Sequence, residues 1–226
     1  MEHSNLLAPD RIALLERLVP AGVVTAEAFD DAHNIVLFPE EAELVRRSVP
    51  KRQREFATAR WCAREALARL GLPPTPILPG AHGAPKWPDS VAGAITHCDG
   101  YRGVALGRAS EIEMLGLDAE PNGPLPAGVL DSIALPEERR WVRNFLLAEP
   151  RIRWDRLLFS MKESVYKAWY PATGVRLEFE DALITVDRAK STFSAKILVP
   201  ERPREVLEGH WLAEEGLVLT AITVLR

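Results

Sequence analysis

The chain has 226 residues, 47% of them hydrophobic and 27% charged, with a formal net charge of −4. That length suits one large domain or two small ones, and no 18-residue apolar run of the kind that crosses a bilayer interrupts it. The acidic balance argues against general nucleic-acid binding and leaves room for a local basic pocket. Cys62 and Cys98 form no CxxC or metal-ligand spacing. A chain of this size needs no disulfide, so the expected location is the cytoplasm. The first twenty residues carry early acids and do not read as a signal peptide.

In chain order, Asp10 is a candidate N-cap for a helix over "RIALLERLV", ended by Pro20, and "GVVTAEAF" follows as a strand. Pro39 opens the helix "PEEAELVRRS", with acids in its first turn and arginines in its last. "KRQREFATARWCAREALARLG" predicts a long helix with Phe56, Ala59, Ala63, Ala66, Leu67 and Leu70 as its apolar stripe and Gly71 as its stop. A Pro/Gly-rich loop leads to three strand candidates, "VAGAITHC", "RGVALGR" and "EMLGLDAE". The helix "LPEERRWVRNFLLA" comes next, then a longer one, "RWDRLLFSMKESVYKAWY", stopped by Pro171. Four alternating segments complete the chain, with "EEG" as a hairpin turn between the last two. Each half thus holds a long helix and about three strands, an α+β pattern in which no sequence repeat is visible.

The chemistry concentrates in two places. In "GLDAEP", Asp118 and Glu120 would share one strand face with Cα atoms roughly 6–7 Å apart. Two like charges so placed need either a cation between them or a strand end that reaches solvent. In "FSMKESVYKAW", Glu163 and Lys167 are an i,i+4 pair. An exposed ion pair would account for them, but Leu157, Leu158, Phe159, Val165, Ala168 and Trp169 occupy most of that helix's circumference, which favours a site. Thr96 and His97 close an apolar strand beside a turn, and Arg52 and Arg60 lie two turns apart on the long helix. Each has an ordinary structural explanation: a core histidine held by backbone, arginines solvated on a helix surface. Together, carboxylates and cations suit Mg²⁺ bridging to a pyrophosphate, and no Walker loop or GxGxxG supports the common nucleotide folds.

"GLDAE", followed some forty residues later by "FSMKESVYKAW", resembles the paired signature of Sfp-type 4′-phosphopantetheinyl transferases, G-(I/V/L)-D-x-E and (F/W)-x-x-K-E-(A/S)-x-x-K. "KRQREF", "GAPKWP" and "ITHC" upstream fit the same pattern, and the likeness is greatest to the actinobacterial type II branch, which serves polyketide, nonribosomal peptide and fatty-acid synthases. The resemblance implies a pseudo-dimer of two α/β halves, each a small, mainly antiparallel sheet packed with a long helix. Residues 1–118 would form the coenzyme A-binding side and 119–226 the side carrying metal and catalytic helix, with the active site in the cleft between. The implied reaction moves 4′-phosphopantetheine from coenzyme A to a serine of an apo acyl or peptidyl carrier protein and releases adenosine 3′,5′-bisphosphate. By position, Asp118, Glu120 and Glu163 would ligate Mg²⁺ or Mn²⁺, and Glu163 would also be the general base. Lys162 and Lys167 would contact the pyrophosphate. Arg52, Arg60 and His97 would grip the 3′-phosphate with Thr96 near the pyrophosphate, and Gly83, Ala84 and Pro85 would line the adenine pocket. Pro79, His82 and Lys86 depart from the lysines that relatives often carry around that loop.

Residues 128–147, with Arg139, Arg140 and Arg143 beside Val129, Leu130, Trp141 and Phe145, offer either a basic and apolar surface for an acidic carrier helix or an amphipathic helix turned into the core. The expected protein is monomeric, with no nucleic-acid or membrane partner. A Mg²⁺-dependent nuclease and a non-catalytic coenzyme A- or carrier-binding module are the alternative readings.

Overall fold

The computed structural model describes residues 13–31, 34–200 and 202–226. The first sheet comprises β1 (Val24–Ala28), β2 (Val91–Cys98) and β3 (Tyr101–Arg108), antiparallel in the order β1-β3-β2. Between β1 and β2 come α1 (Pro39–Val45) and α2 (Pro50–Arg69). The small residues Cys62, Ala63 and Ala66, with Leu67, let α2 lie close on that sheet against Ala26, Val104 and Leu106. Gly71, at φ 75°, ends the helix in the left-handed region that glycine adopts freely.

The second sheet holds β4 (Ile112–Pro121), β5 (Ala182–Asp187), β6 (Thr192–Ile197), β7 (Val206–Glu214) and β8 (Leu217–Leu225) in the order β4-β8-β7-β6-β5, all antiparallel. Three helices, α3 (Val129–Ile133), α4 (Pro136–Ala148) and α5 (Trp154–Thr173), lie between β4 and β5. The β7–β8 turn is Glu215–Gly216, both at positive φ, the mirror-image turn that matches strand twist. A boundary at residue 118 falls inside β4, which pairs along its length with β8 and so belongs wholly to the second sheet.

β4 is buried on both faces. Leu115, Leu117 and Ala119 join the apolar cluster built with Leu14, Leu15 and Tyr101 of the first half. Met114 joins the cluster around α5, whose Leu157, Leu158, Met161, Val165 and Trp169 are all at most 1% exposed. Gly116 permits this packing, because a Cβ there would stand 2.1 Å from the Ser164 carbonyl oxygen and 2.5 Å from the Ala168 nitrogen.

Two expectations need correction. The segment before β1 forms a 3-10 turn, Leu15–Arg17, in place of a longer helix, and Asp10 lies outside the described residues. Glu27 accepts the amides of Leu14 (2.6 Å) and Leu15 (3.3 Å) and the Tyr101 hydroxyl (2.6 Å), fastening the turn to β1. Pro171 does not stop α5, which continues to Thr173. Near the helix end a missing amide is tolerated, since the Thr173 hydroxyl donates to Trp169 O and Gly174 N to Tyr170 O.

The halves also share a local device that repeats in sequence, Phe38-Pro39-Glu40-Glu41 and Leu135-Pro136-Glu137-Glu138. Each second glutamate is 0% exposed and accepts the amide of the residue before the proline, at 3.2 Å for Phe38 and 2.7 Å for Leu135. Each also takes a cation from the neighbouring long helix, Arg64 at 3.0 Å or Lys162 at 2.8 Å, and an amide from a later segment, Ile77 at 2.9 Å or Ile184 at 2.7 Å. Among the described residues no helix is long and apolar enough to cross a membrane.

Candidate active site

Strand alternation turns Gly116, Asp118 and Glu120 toward α5, and helical periodicity brings Glu163, Tyr166, Lys167 and Tyr170 onto one face of it. Asp118 is 4% exposed. Its Oδ1 accepts the Lys167 ammonium at 2.6 Å and the Thr96 hydroxyl at 3.3 Å, while its Oδ2 is buried without a partner. Glu120 meets Arg156 Nη1 at 3.0 Å, and Arg156 is anchored on the carbonyls of Gly123 and Pro124. The Glu163 carboxylate takes no hydrogen bond among the described residues. Burial, then the Asp118 charge, raises the Glu120 carboxyl against the pull of Arg156 and Lys167. Burial also raises Glu163, with Lys167 opposing and Asp118 adding to the shift.

Arg52 and His97 lie near this group, while Arg60 is turned into the first half beside Glu41. Arg52 Nη1 lies 3.3 Å from His97 Nε2. Burial, then the charges of Arg52 and Lys167, holds the His97 imidazole below its ordinary value. Arg60 donates Nε to Ile77 O at 2.8 Å and stacks its guanidinium 4.1 Å from the Phe56 ring. Its burial lowers it to about 10, partly offset by Glu41.

Two cavities meet at α5. One, about 250 Å³, is walled by Gly83, Ala84 and Pro85 on one side and by Glu163, Tyr166, Lys167 and Tyr170 on the other. The His82 ring meets Tyr170 edge-on at 5.2 Å, and Tyr166 stacks on Tyr170 at 5.6 Å. The second, about 260 Å³, shares Glu163 and Tyr166 and runs toward Leu177 and Phe179.

Two family models divide the chain in the same place as the sheets. The 4′-phosphopantetheinyl transferase N-terminal domain matches residues 40–107, and the 4′-phosphopantetheinyl transferase superfamily matches residues 114–222. Over 219 residues the chain is 54% identical to 4′-phosphopantetheinyl transferase Svp of Streptomyces mobaraensis, covering 93% of this chain and 89% of the relative. It is 45% identical to PptT of Mycobacterium tuberculosis (93% and 98% covered) and 43% identical to Npt of Nocardia iowensis (92% and 99%). The chain belongs to the 4′-phosphopantetheinyl transferase family.

Within this transferase, Asp118, Glu120, Glu163 and Lys167 come together as a group, as do Arg52 and His97. Lys162 lines the second cavity beside Glu163, but its ammonium is not part of this group. One residue before Glu163, it is rotated about 100° around the helix, onto the side of the core residues Val165 and Trp169. Its ammonium donates to Glu138 (2.8 Å), Phe179 O (2.6 Å) and Ala182 O (2.9 Å), which uses all three of its donors. Thr96, 2% exposed, accepts the Ala119 amide at 3.0 Å and donates to Asp118, joining the facing edges of the two sheets. Most apolar residues of α4 turn inward, Leu147 excepted. Val142 is buried, and Trp141 and Phe145 pack on the core. Arg139 and Arg140 pair with Asp131 and Glu137, and Leu147 stands 85% exposed on the same helix.

Sequence reasoning missed Tyr170 and Arg156, and named His82 only as a departure in its loop. Tyr170 stands seven positions after Glu163 and Arg156 seven before it, a spacing that marks one helical face. His82, at φ 52°, is placed by loop geometry that left no periodic signal.

Burial, followed by Glu120 and Asp118, pushes the Cys98 thiol up to about 12, and burial does the same for Cys62. Both cysteines are free. The folded transferase should therefore resist iodoacetamide at pH 8, with alkylation of both thiols appearing only in denaturant. Mass spectrometry reads the outcome directly.

Proposed function

We propose that this transferase moves the 4′-phosphopantetheine of coenzyme A onto a serine hydroxyl of an apo acyl or peptidyl carrier protein. The observation that carries this reading is the placing of Glu163 on the wall shared by two cavities, beside Lys167 and Asp118. Coenzyme A has a nucleotide end, a pantetheine end and a pyrophosphate between them, and this cleft has the matching order. The loop of Gly83, Ala84 and Pro85, with Tyr166 and Tyr170, receives the adenine. Arg52, Arg60 and His97 hold the 3′-phosphate, and the cavity toward Leu177 and Phe179 takes the apolar arm.

A hard divalent cation suits the donors. Among the described residues no three acidic, His or Cys side chains form a ready-made cage, but Mg²⁺ asks a protein for one or two carboxylates and takes its other oxygens from phosphate and water. The orphaned Asp118 Oδ2 supplies one such oxygen, with Glu120 and Glu163 on the same cleft. When bound, Mg²⁺, or Mn²⁺ in its place, would neutralise pyrophosphate charge. Glu163, whose carboxyl burial makes more basic, takes the serine proton directly or through water. The serine oxygen forms a bond to the phosphorus on the pantetheine side. The bridging P–O bond breaks with its electron pair on adenosine 3′,5′-bisphosphate, and Lys167 offsets the charge that develops there. Because one chain supplies the whole cleft, the active species is a monomer.

The test is the intact mass of an apo carrier protein after incubation with coenzyme A and Mg²⁺. The expected gain is one phosphopantetheine, absent when the carrier serine is alanine. Glu163→Gln and Asp118→Asn should each lower turnover by about 10²–10⁴-fold while the protein stays folded. No gain with several carriers, while coenzyme A still binds in a titration, would overturn the reading.

A further inference from the structure

The arginine that faces the cleft beside His97 is not left to find its own position. Arg52 has a side chain 44% exposed, and a free arginine there would sample many rotamers. Instead its Nη1 sits 3.6 Å from Glu55 Oε2 and 3.3 Å from His97 Nε2. A guanidinium has no acceptor, so this contact requires the lone pair of His97 at Nε2 and leaves the N–H at Nδ1 available to an anion.

Glu55 would by itself oppose an anion so near. Its other oxygen, Oε1, faces Arg102 Nη2 at 3.4 Å, and Arg102 has a side chain only 3% exposed. Arg102 is the register partner of His97 across β2 and β3. Its guanidinium also meets Asp31 at 2.9 Å and donates to Tyr101 O at 2.7 Å and to Cys98 O. The β2–β3 hairpin that carries His97 is thereby tied to the residue that neutralises Glu55. Asp31, Arg102, Glu55 and Arg52 form a chain of alternating charge running from the buried side of the first half to the cleft. Asp31 and Glu55 balance Arg102 and Arg52 one for one, so the chain orients Arg52 without adding net charge at the site.

We propose that Glu55 and Arg102 are positioning residues that hold Arg52 and His97 as a clamp for a terminal phosphate monoester, and that they set the preference for a donor bearing a 3′-phosphate. This rests on the proposed coenzyme A reading. Neither residue touches the reacting phosphorus, so their effect belongs in KM for one donor and not in kcat.

The experiment compares coenzyme A with 3′-dephospho-coenzyme A as donors to one apo carrier, for the wild type and Glu55→Gln. Glu55→Gln preserves shape and removes charge. It should raise KM for coenzyme A about five- to tenfold and leave KM for the dephospho donor and both kcat values within about twofold. Arg102→Lys should move the same parameter in the same direction, and its thermal midpoint reports whether folding has suffered. Equal rises in both KM values, a fall in kcat with both donors, or no change in Glu55→Gln would each overturn the positioning role, as would a wild type indifferent to the 3′-phosphate. Failure of the wild type to modify the carrier from either donor would instead bring down the reading of the cleft, and the clamp with it.

Discussion

Gly116→Ala is expected to abolish measurable turnover and to lower stability, although the change adds a single methyl group. The new Cβ would meet the Ser164 carbonyl and the Ala168 nitrogen, both backbone atoms of α5, at separations no carbon tolerates. Neither can rotate aside, so the helix must lift from β4. Overpacking of this kind costs about 1–3 kcal/mol or more, and for a chain of this size each kcal/mol lowers Tm by about 2–4 °C. The larger loss is geometric, since Glu163 and Lys167 ride on the displaced helix while Asp118 stays on the strand. A misplacement near 1 Å can reduce a positioned reaction about 10²-fold. Thermal melting and carrier mass together decide the matter. A variant that keeps both wild-type Tm and wild-type rate would refute this account of the packing.

Lys162→Met should act on stability in place of chemistry. The pair with Glu138 has side chains 1% and 0% exposed, and removing one partner of such a pair costs about 3–5 kcal/mol because the other charge is left buried. A fall in Tm of roughly 10 °C follows, with KM for coenzyme A unchanged in the folded protein. Burial lowers the Lys162 ammonium while Glu138 foremost, and Glu180 after it, support its charge. The double variant Lys162→Met/Glu138→Gln should recover part of the loss, since it leaves no buried charge and the glutamine oxygen still accepts one of the amides of Leu135 and Ile184, the other being left facing an NH2. If Lys162→Met raises KM for coenzyme A and leaves Tm intact, Lys162 reaches the substrate after all.

The contrast between Lys162 and Lys167 marks how far sequence carries. Both lie in the motif that also gives Glu163, and the motif does not say which lysine faces the cleft. The helical angle does: Lys167 is four positions from Glu163 and Lys162 only one. Local periodicity made α2, α5 and most strands legible, along with the shared face of Asp118 and Glu120. The pairing of β4 with β8 was not, because register between distant strands depends on the tertiary arrangement. Nor was the burial of Arg60, Glu41 and Glu138, whose residue types ordinarily signal surface. The two Pro-Glu-Glu stretches were there to be aligned, yet a repeat of four residues stands out only once each second glutamate is seen reaching back to the same kind of amide.

That pairing has a consequence for the order in which the protein can be made. Asp118 and Glu120 sit on an edge strand whose one ladder partner among the described residues is β8, separated from it by three helices and β5 to β7. During synthesis the first sheet and α2 can assemble while β4 still lacks its mate, so the acids acquire their fixed positions late, through a contact of long sequence separation that is slow to form. A nascent chain arrested before β8 would hold a finished anion clamp and no organised acids opposite it.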